Sequence, residues 1–440
     1  MRDTAARPAG VTKSVHVPTQ TGAWLIVALL FLFMLTNFAD KAAIGIAAVP
    51  IMQELKLSPS EFGLIGSSFF LLFALSAIIT GFVANRVQTR WLLSGMGLVW
   101  ALTQFPMMGA TGFGTLLACR VALGAGEGPA GPVALHAIYK WFPNERRTLP
   151  TAIIAQGGGV GIMLAVPLLN WIIVRYSWHL AFGMLGVAGL AWTIAWLVLG
   201  REGSVASDEE MATTPAPRRI SYGKMMLNPT ILASWCAAFS ANWGLSQALS
   251  WQGAFLIKGL GLTQGSIGLL GPLPAAASVL AMITAGWYSQ HLLARGSSSR
   301  VARGILGGGS VLAGGVALVL MPYAPGIPIK IALTTIGLAL PSVILVISNA
   351  VVADITPTAQ RGAMLAIGSA VSTSAGILAP YVTGRLVENA ATSLDGFNRG
   401  FVICGAIMLV GGILAMMLMR PEREGMQRAS EMPEVAIGST

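Results

Sequence analysis

Charge is what this chain has least of. Only 10% of its 440 residues are Asp, Glu, Lys or Arg, against about 25% in a soluble domain. Hydrophobic residues make up 55%, with a mean hydropathy of +0.72, so a large soluble core is excluded and a membrane protein is indicated. Cysteine is nearly missing as well. Cys119, Cys236 and Cys404 lie far apart inside apolar runs, which excludes a disulfide framework or a thiolate metal site. His136, His179 and His291 fall near the ends of apolar runs without metal-ligand company and read as packing or interfacial residues. No nucleophile with its base, metal cluster or acid pair at catalytic spacing occurs, so the chain does not read as an enzyme. The net charge of +10 does not indicate nucleic acid either, because Lys and Arg sit in short connections and form no basic, aromatic-lined face.

What the chain has instead is twelve apolar runs. A window of about 19 residues places them near residues 24–50, 62–84, 91–110, 113–139, 150–174, 179–200, 229–257, 266–290, 303–322, 328–353, 362–386 and 398–419. The first is too long for a signal-peptide core and has no small-residue cleavage site, so it reads as an uncleaved span. An even number of spans puts both termini on one side. That side holds 19 of the 27 Lys and Arg residues and the opposite side six, so the positive-inside bias makes both termini cytoplasmic. Residues 1–23 and 420–440 are then cytoplasmic tails. Residues 201–228, with Ser-Asp-Glu-Glu and Pro-Ala-Pro-Arg-Arg, form a polar linker between a six-helix bundle at 24–200 and another at 229–419. The expected fold class is an all-α membrane protein. The halves echo one another: Gly81-Phe-Val-Ala-Asn85-Arg86-Val-Gln88-Thr-Arg90 follows span two, and a second basic turn, with Gln290, Arg295 and Arg300, follows span eight. A duplicated six-helix unit has this form.

The few charges that do lie deep are concentrated. In Arg120-Val-Ala-Leu-Gly-Ala-Gly-Glu127-Gly-Pro-Ala-Gly-Pro132 a guanidinium and a carboxylate stand seven residues apart, on one helix face about 10 Å apart along the axis. Each costs roughly 2.5–3.5 kcal/mol at mid-membrane, so that face must look into protein or water. Pro129 and Pro132 weaken the helix beside the carboxylate. Of 17 acidic residues only Asp40 and Glu127 lie deep, and Lys41 follows Asp40 directly. The first half thus holds two acids and two bases, neutral as a set, which suits a wet cavity that trades a proton for an anion. The plainer alternatives are a structural Arg120–Glu127 pair, Asp40 at a frayed span end, and Lys41 snorkelling to an interface. The second half offers neutral polar residues: Asn242, Ser246, Gln247 and Gln252 with Trp243 and Trp251, then Ser348 and Asn349, then Ser372, Thr373 and Ser374. They suit either the uncharged part of a substrate or helix packing. Gln156-Gly-Gly-Gly-Val-Gly161 lacks the Lys of a phosphate loop and lies at membrane depth, so its glycines read as a close helix contact and Gln156 as a polar ligand.

These residues resemble a family. Twelve spans in two halves, the turn from Gly81 to Arg90, the Arg120 to Gly131 motif and Trp141-Phe-Pro-Asn-Glu-Arg146 look like the major facilitator superfamily, within its anion:cation symporter branch. That branch includes bacterial proton-coupled sugar-acid carriers and the animal sialic acid and vesicular glutamate carriers. The resemblance implies that Asp40 and Glu127 bind protons and that Arg120 and Lys41 attract the substrate carboxylate. It also implies substrate contacts at Gln156 and Thr373, and a conformational role for Gly81, Asn85, Arg86 and Arg90. The chain departs from the family pattern in several places. Lys41 replaces an Arg and loses the bidentate fork, Phe73 stands where sugar-acid carriers have Tyr, Gln252 replaces part of a Trp-Leu-Pro sequence, Thr373 replaces Asn, and Asn85 and Gln290 replace Asp. Each loss near the site removes a polar contact, which points to a less hydroxylated, even aromatic, carboxylate.

The expectation is therefore a monomeric secondary carrier in a bacterial inner membrane. It would take up an organic anion with protons as the coupling ion, without any other cofactor, by alternating access. Phe73, Gln156, Trp251, Asn349, Ser372 and Thr373 join Lys41 and Arg120 as candidate substrate contacts. Rival readings are a proton-coupled exporter and a membrane sensor that binds without transporting.

Overall fold

The computed structural model describes residues 20–84, 86–109, 112–143, 146–203 and 220–421. The tails, most of the linker and Asn85 lie outside the described residues. Among the described residues there is no strand; twelve helical spans cross in alternating directions. Nine of them are long and apolar enough to cross a membrane by length and composition alone. The other three are Thr89–Met108, the broken span four and Pro229–Ala254, each carrying polar or charged residues that lower its mean hydropathy. Residues near 20, 86, 140 and 420 share one end of the molecule, called here the terminal side; the other is the far side.

Several spans are broken near their middles, two of them at a proline. Span four is Phe113–Glu127 followed by Ala130–Tyr139, interrupted at Gly128 and Pro129, where proline lacks the amide hydrogen. Span ten breaks likewise between Gly326–Ala339 and Ser342–Ile355, at Pro341. Span two divides at Leu72 into Pro59–Leu71 and Phe73–Val83, and span eleven at Ser374 into Thr358–Thr373 and Ala375–Glu388. Span one is one helix, Gln20–Ile46, with a further short helix, Ala48–Glu54, beyond it.

Packing between spans rests on small residues. Lipid supplies no hydrophobic drive between helices, so close backbone approach must provide the contact energy. Gly124 and Gly128 of span four lie against span two so tightly that a Cβ would come 2.7 Å from the carbonyl carbon of Phe69 and 2.8 Å from that of Phe73. Gly157 and Gly161 of span five lie equally close to the Phe31 and Leu35 carbonyls of span one, the close contact expected of that glycine run.

The two bundles meet at the far side. There Gln264 donates to the Ile46 carbonyl and to Asn170 Oδ1, each at 3.0 Å. The Ser60 amide donates to Glu388 Oε2 at 3.1 Å, and the Tyr381 amide to Ser67 Oγ at 3.1 Å. A Cβ on Gly45 would stand 2.9 Å from the carbonyl carbon of Leu249, and one on Gly384 would stand 3.0 Å from that of Pro59. Toward the terminal side Gly81, Gly131, Gly286 and Gly362 have open space where a Cβ would be. The molecule is thus closed between its halves at the far side.

Candidate functional site

The four deep charges come together. Asp40, Lys41, Arg120 and Glu127 are 1%, 8%, 2% and 0% exposed, brought from span one and span four into the interior of the first bundle. Asp40 and Lys41 come from span one, and Arg120 and Glu127 from span four, whose Gly124 and Gly128 hold it against span two. Lys41 Nζ forms an ion pair with Glu127 Oε2 at 3.2 Å and donates to Asn37 Oδ1, one turn earlier, at 2.5 Å. Arg120 has no carboxylate within ion-pair distance among the described residues, although it shares a helix face with Glu127. Tertiary contact with span one has overridden the spacing, and Glu127 is paired with Lys41 instead.

Aromatic rings supply what the carboxylates do not. The Lys41 ammonium lies 4.5, 5.2 and 5.9 Å from the ring centres of Phe38, Phe73 and Phe69, and the Arg120 guanidinium lies 4.6 Å from that of Phe69. Desolvated cation–π contacts are each worth up to about 2 kcal/mol. The two cations therefore share an aromatic cage, in which Phe73 takes part and which Phe38 and Phe69 complete. Sequence reasoning missed Phe38, Phe69, Asn37 and Gln104. Only Asn37 carried a signal, its i−4 position beneath Lys41; phenylalanine in an apolar span is unremarked. Gln104 of span three lies beside Asp40 and is itself 1% exposed.

The cluster is polar but not saturated. Oδ1 of Asp40, Oε1 of Glu127, Nε and Nη1 of Arg120 and both amide atoms of Gln104 are buried without a hydrogen-bond partner. Leaving a buried donor or acceptor unmatched costs about 1–3 kcal/mol, more for a charged one.

Beside the cluster, between the halves, is a cavity of about 260 Å³. Phe38 and Ala42 of span one line it, as do Gln156 of span five and Gln252 of span seven. Phe38 thus belongs to both cage and cavity. Asn349 is exposed and lies one turn past Leu345, on the helix face that Ser342 and Leu345 present to the cavity. Ser372 and Thr373 stand at the break in span eleven, and both hydroxyls donate to the Ser369 carbonyl, at 3.0 and 2.7 Å. Trp251 lies elsewhere. Its indole donates to the Pro380 carbonyl at 2.8 Å and packs against Phe62 and Phe397 in the closed far side.

The basic turn is on the terminal side. Arg86 is exposed, and Gly81 touches nothing within 4 Å. Arg90 donates to the Leu197 carbonyl, while its own carbonyl accepts from Trp196 at 3.0 Å. Next to it Glu202, after span six, pairs with Lys140 of span four and accepts from Thr89 Oγ1 at 2.9 Å and the Arg90 amide at 3.2 Å. Burial works to raise the Glu202 pKa, but the Lys140 and Thr89 hydrogen bonds, with the Lys140 charge, outweigh it and hold the carboxyl below its ordinary value. Among the described residues no group of three or more His, Cys, Asp and Glu is arranged to hold a metal.

The Major Facilitator Superfamily model matches residues 29–343. A hexuronate transporter of Bacillus subtilis is 26% identical over 407 residues, covering 90% of this chain and 94% of that protein. A probable sulfoacetate transporter of Cupriavidus necator is 26% identical over 422 residues, covering 90% and 93%. Among solved structures, a bacterial homologue of the human lysosomal transporter Spinster, inward-facing and occupied, superposes with a TM-score of 0.78 at 18% identity, covering 92% of this chain and 99% of that one. With twelve spans in two bundles and a family model matching most of its length, the chain belongs to the major facilitator superfamily.

Proposed function

We propose that this chain carries an organic anion, a carboxylate, across a membrane together with protons by alternating access. The observation that carries the reading is the buried set of two acids and two bases in which Lys41 is held by Glu127 while Arg120 holds no carboxylate. A proton on Glu127 removes the counter-ion of Lys41. The freed ammonium and the guanidinium of Arg120 then accept the substrate carboxylate, so one buried negative charge replaces another and the desolvation cost changes little. Asp40, beside Gln104, is the second proton site. Gln156, Asn349, Ser372 and Thr373 contact the body of the substrate, and Phe73 holds the Lys41 end of the cage. Trp251 would join only when the far side opens.

The excess of Lys and Arg on the terminal side supports cytoplasmic termini in a bacterial inner membrane. On that orientation the closed far side is the outside, and the two halves rock about the central site. The protein acts as a monomer, with the proton as coupling ion and no other cofactor. The hexuronate and sulfoacetate transporters among its relatives support an anionic cargo. The test is uptake of labelled carboxylates into proteoliposomes under an imposed proton gradient, comparing the parent with Glu127→Gln. Gradient-driven accumulation should be lost in the variant. Accumulation that survives unchanged removes Glu127 from the mechanism, and extrusion in place of uptake would make the protein an exporter.

A further inference from the structure

The cavity says more about the cargo than its charge. Its walls are mostly apolar, with Phe38, Gly158 and Ile162 from the first half and Leu245, Leu249 and Val279 from the second. A cavity of about 150 Å³ with such a lining accommodates benzene, so about 260 Å³ holds one six-membered ring with a carboxylate and a small substituent. Four polar side chains reach the wall: Gln156, Gln252, Ser278 and Ser342. The two serines are already committed, Ser278 Oγ donating to the Pro274 carbonyl at 2.8 Å and Ser342 Oγ to the Ala339 carbonyl at 2.7 Å. Gln252 is different. Part of its side chain reaches the cavity wall, while its Oε1 is buried without a hydrogen-bond partner.

Such a wall penalises a polyhydroxylated guest. Each hydroxyl that leaves water without finding a partner costs roughly 1–3 kcal/mol, and a sugar acid brings several. An apolar ring incurs no such cost and gains from leaving water. Phe38 sets the geometry: its ring lies 4.5 Å from the Lys41 ammonium and lines the cavity. Gly158 fixes that ring, since a Cβ there would come within 2.8 Å of it. A carboxylate reaching Lys41 along Phe38 leaves its body between Phe38 and the Gln252 side of the cavity.

We propose that this cavity selects a monocarboxylate whose body is one compact apolar ring carrying a single hydrogen-bonding group, and that the Gln252 amide reads that group. The inference rests on the carrier reading above, and two readouts keep their failures apart. The first is binding to the purified full chain in detergent, followed by thermal shift, with benzoate, 4-hydroxybenzoate and glucuronate as probes. The second is competition by the same three acids against gradient-driven uptake of labelled 4-hydroxybenzoate. The expected order is 4-hydroxybenzoate, then benzoate, then glucuronate, with at least tenfold between the first and the last. Gln252→Leu should shrink the 4-hydroxybenzoate to benzoate ratio by up to about tenfold, the worth of one hydrogen bond. Glucuronate binding or competing as well as the ring acids overturns the proposal, on the unaltered chain and without the variant. A ratio unmoved in a folded Gln252→Leu variant overturns the role of Gln252. Ring-acid binding in the expected order without gradient-driven uptake supports the cavity reading while defeating the carrier.

Discussion

Lys41 and Glu127 form a buried ion pair across two helices, 3.2 Å apart, with the carboxylate wholly sealed and the ammonium nearly so. Arg120, on the same helix as Glu127, stays outside it. The pair therefore holds span one to span four, and it is also the contact that a proton would undo.

Removing one partner of a buried pair strands the other charge at a cost of about 3–5 kcal/mol, whereas removing both is far cheaper. Lys41→Met and Glu127→Gln should each lower the apparent unfolding temperature in detergent, and the double variant should recover most of the loss. A double-mutant cycle on the unfolding midpoints measures the coupling. Additive losses would show that the pair contributes no stability.

Asp40 sits beside Gln104 and is the second acid of the set. Asp40→Asn should abolish accumulation above equilibrium in proteoliposomes while leaving counterflow of labelled for unlabelled carboxylate within about threefold of the parent. Loss of both activities together would make Asp40 a structural residue and not a coupling one.

Closure of the far side depends on backbone meeting backbone at Gly45. Gly45→Val has nowhere to put its side chain against Leu249, so the closed arrangement should be disfavoured by well over 1 kcal/mol. A cysteine replacing Ser60, in a background lacking Cys119, Cys236 and Cys404, should then react several times faster with a water-soluble maleimide than in the Gly45 parent. Equal rates would mean that closure tolerates the clash.

The Glu202 carboxyl is held below its ordinary pKa, and the sign follows from that. Its contribution to stability is complete above the unfolded value of about 4.3 and is lost as the pH falls through the lower folded value. Glu202→Gln should therefore cost about 1 kcal/mol near pH 7, discounted for partial exposure, and progressively less as the pH falls below the unfolded value. Apparent unfolding midpoints of the two proteins, followed from pH 7 downward, give the difference. A constant gap across the range would assign the effect to lost packing and not to charge.

The parts of this site that were legible in the sequence are those that are costly in lipid. Asp40, Lys41, Arg120 and Glu127 were found because a charge inside an apolar run needs a reason, and the weak point in span four was marked by Pro129. Which charge pairs with which was not legible. Spacing joins Arg120 to Glu127, but the position of span one beside span four decides for Lys41. The cage was hidden for a different reason: Phe38, Phe69 and Phe73 are ordinary residues for a membrane helix, and only their convergence on two cations distinguishes them. The Glu202 clasp escaped because its members come from three separate connections, each of which reads alone as a solvated charge.

Pro129 and Pro132 cannot donate to the carbonyls of Ala125 and Gly128, so span four is two rods joined at a loose knuckle directly after Glu127. On the proposed cycle the proton therefore lands where the rod bends most easily. Chemistry and mechanics would share one address, and no long relay through the bundle would be needed to turn a change of charge into a change of shape.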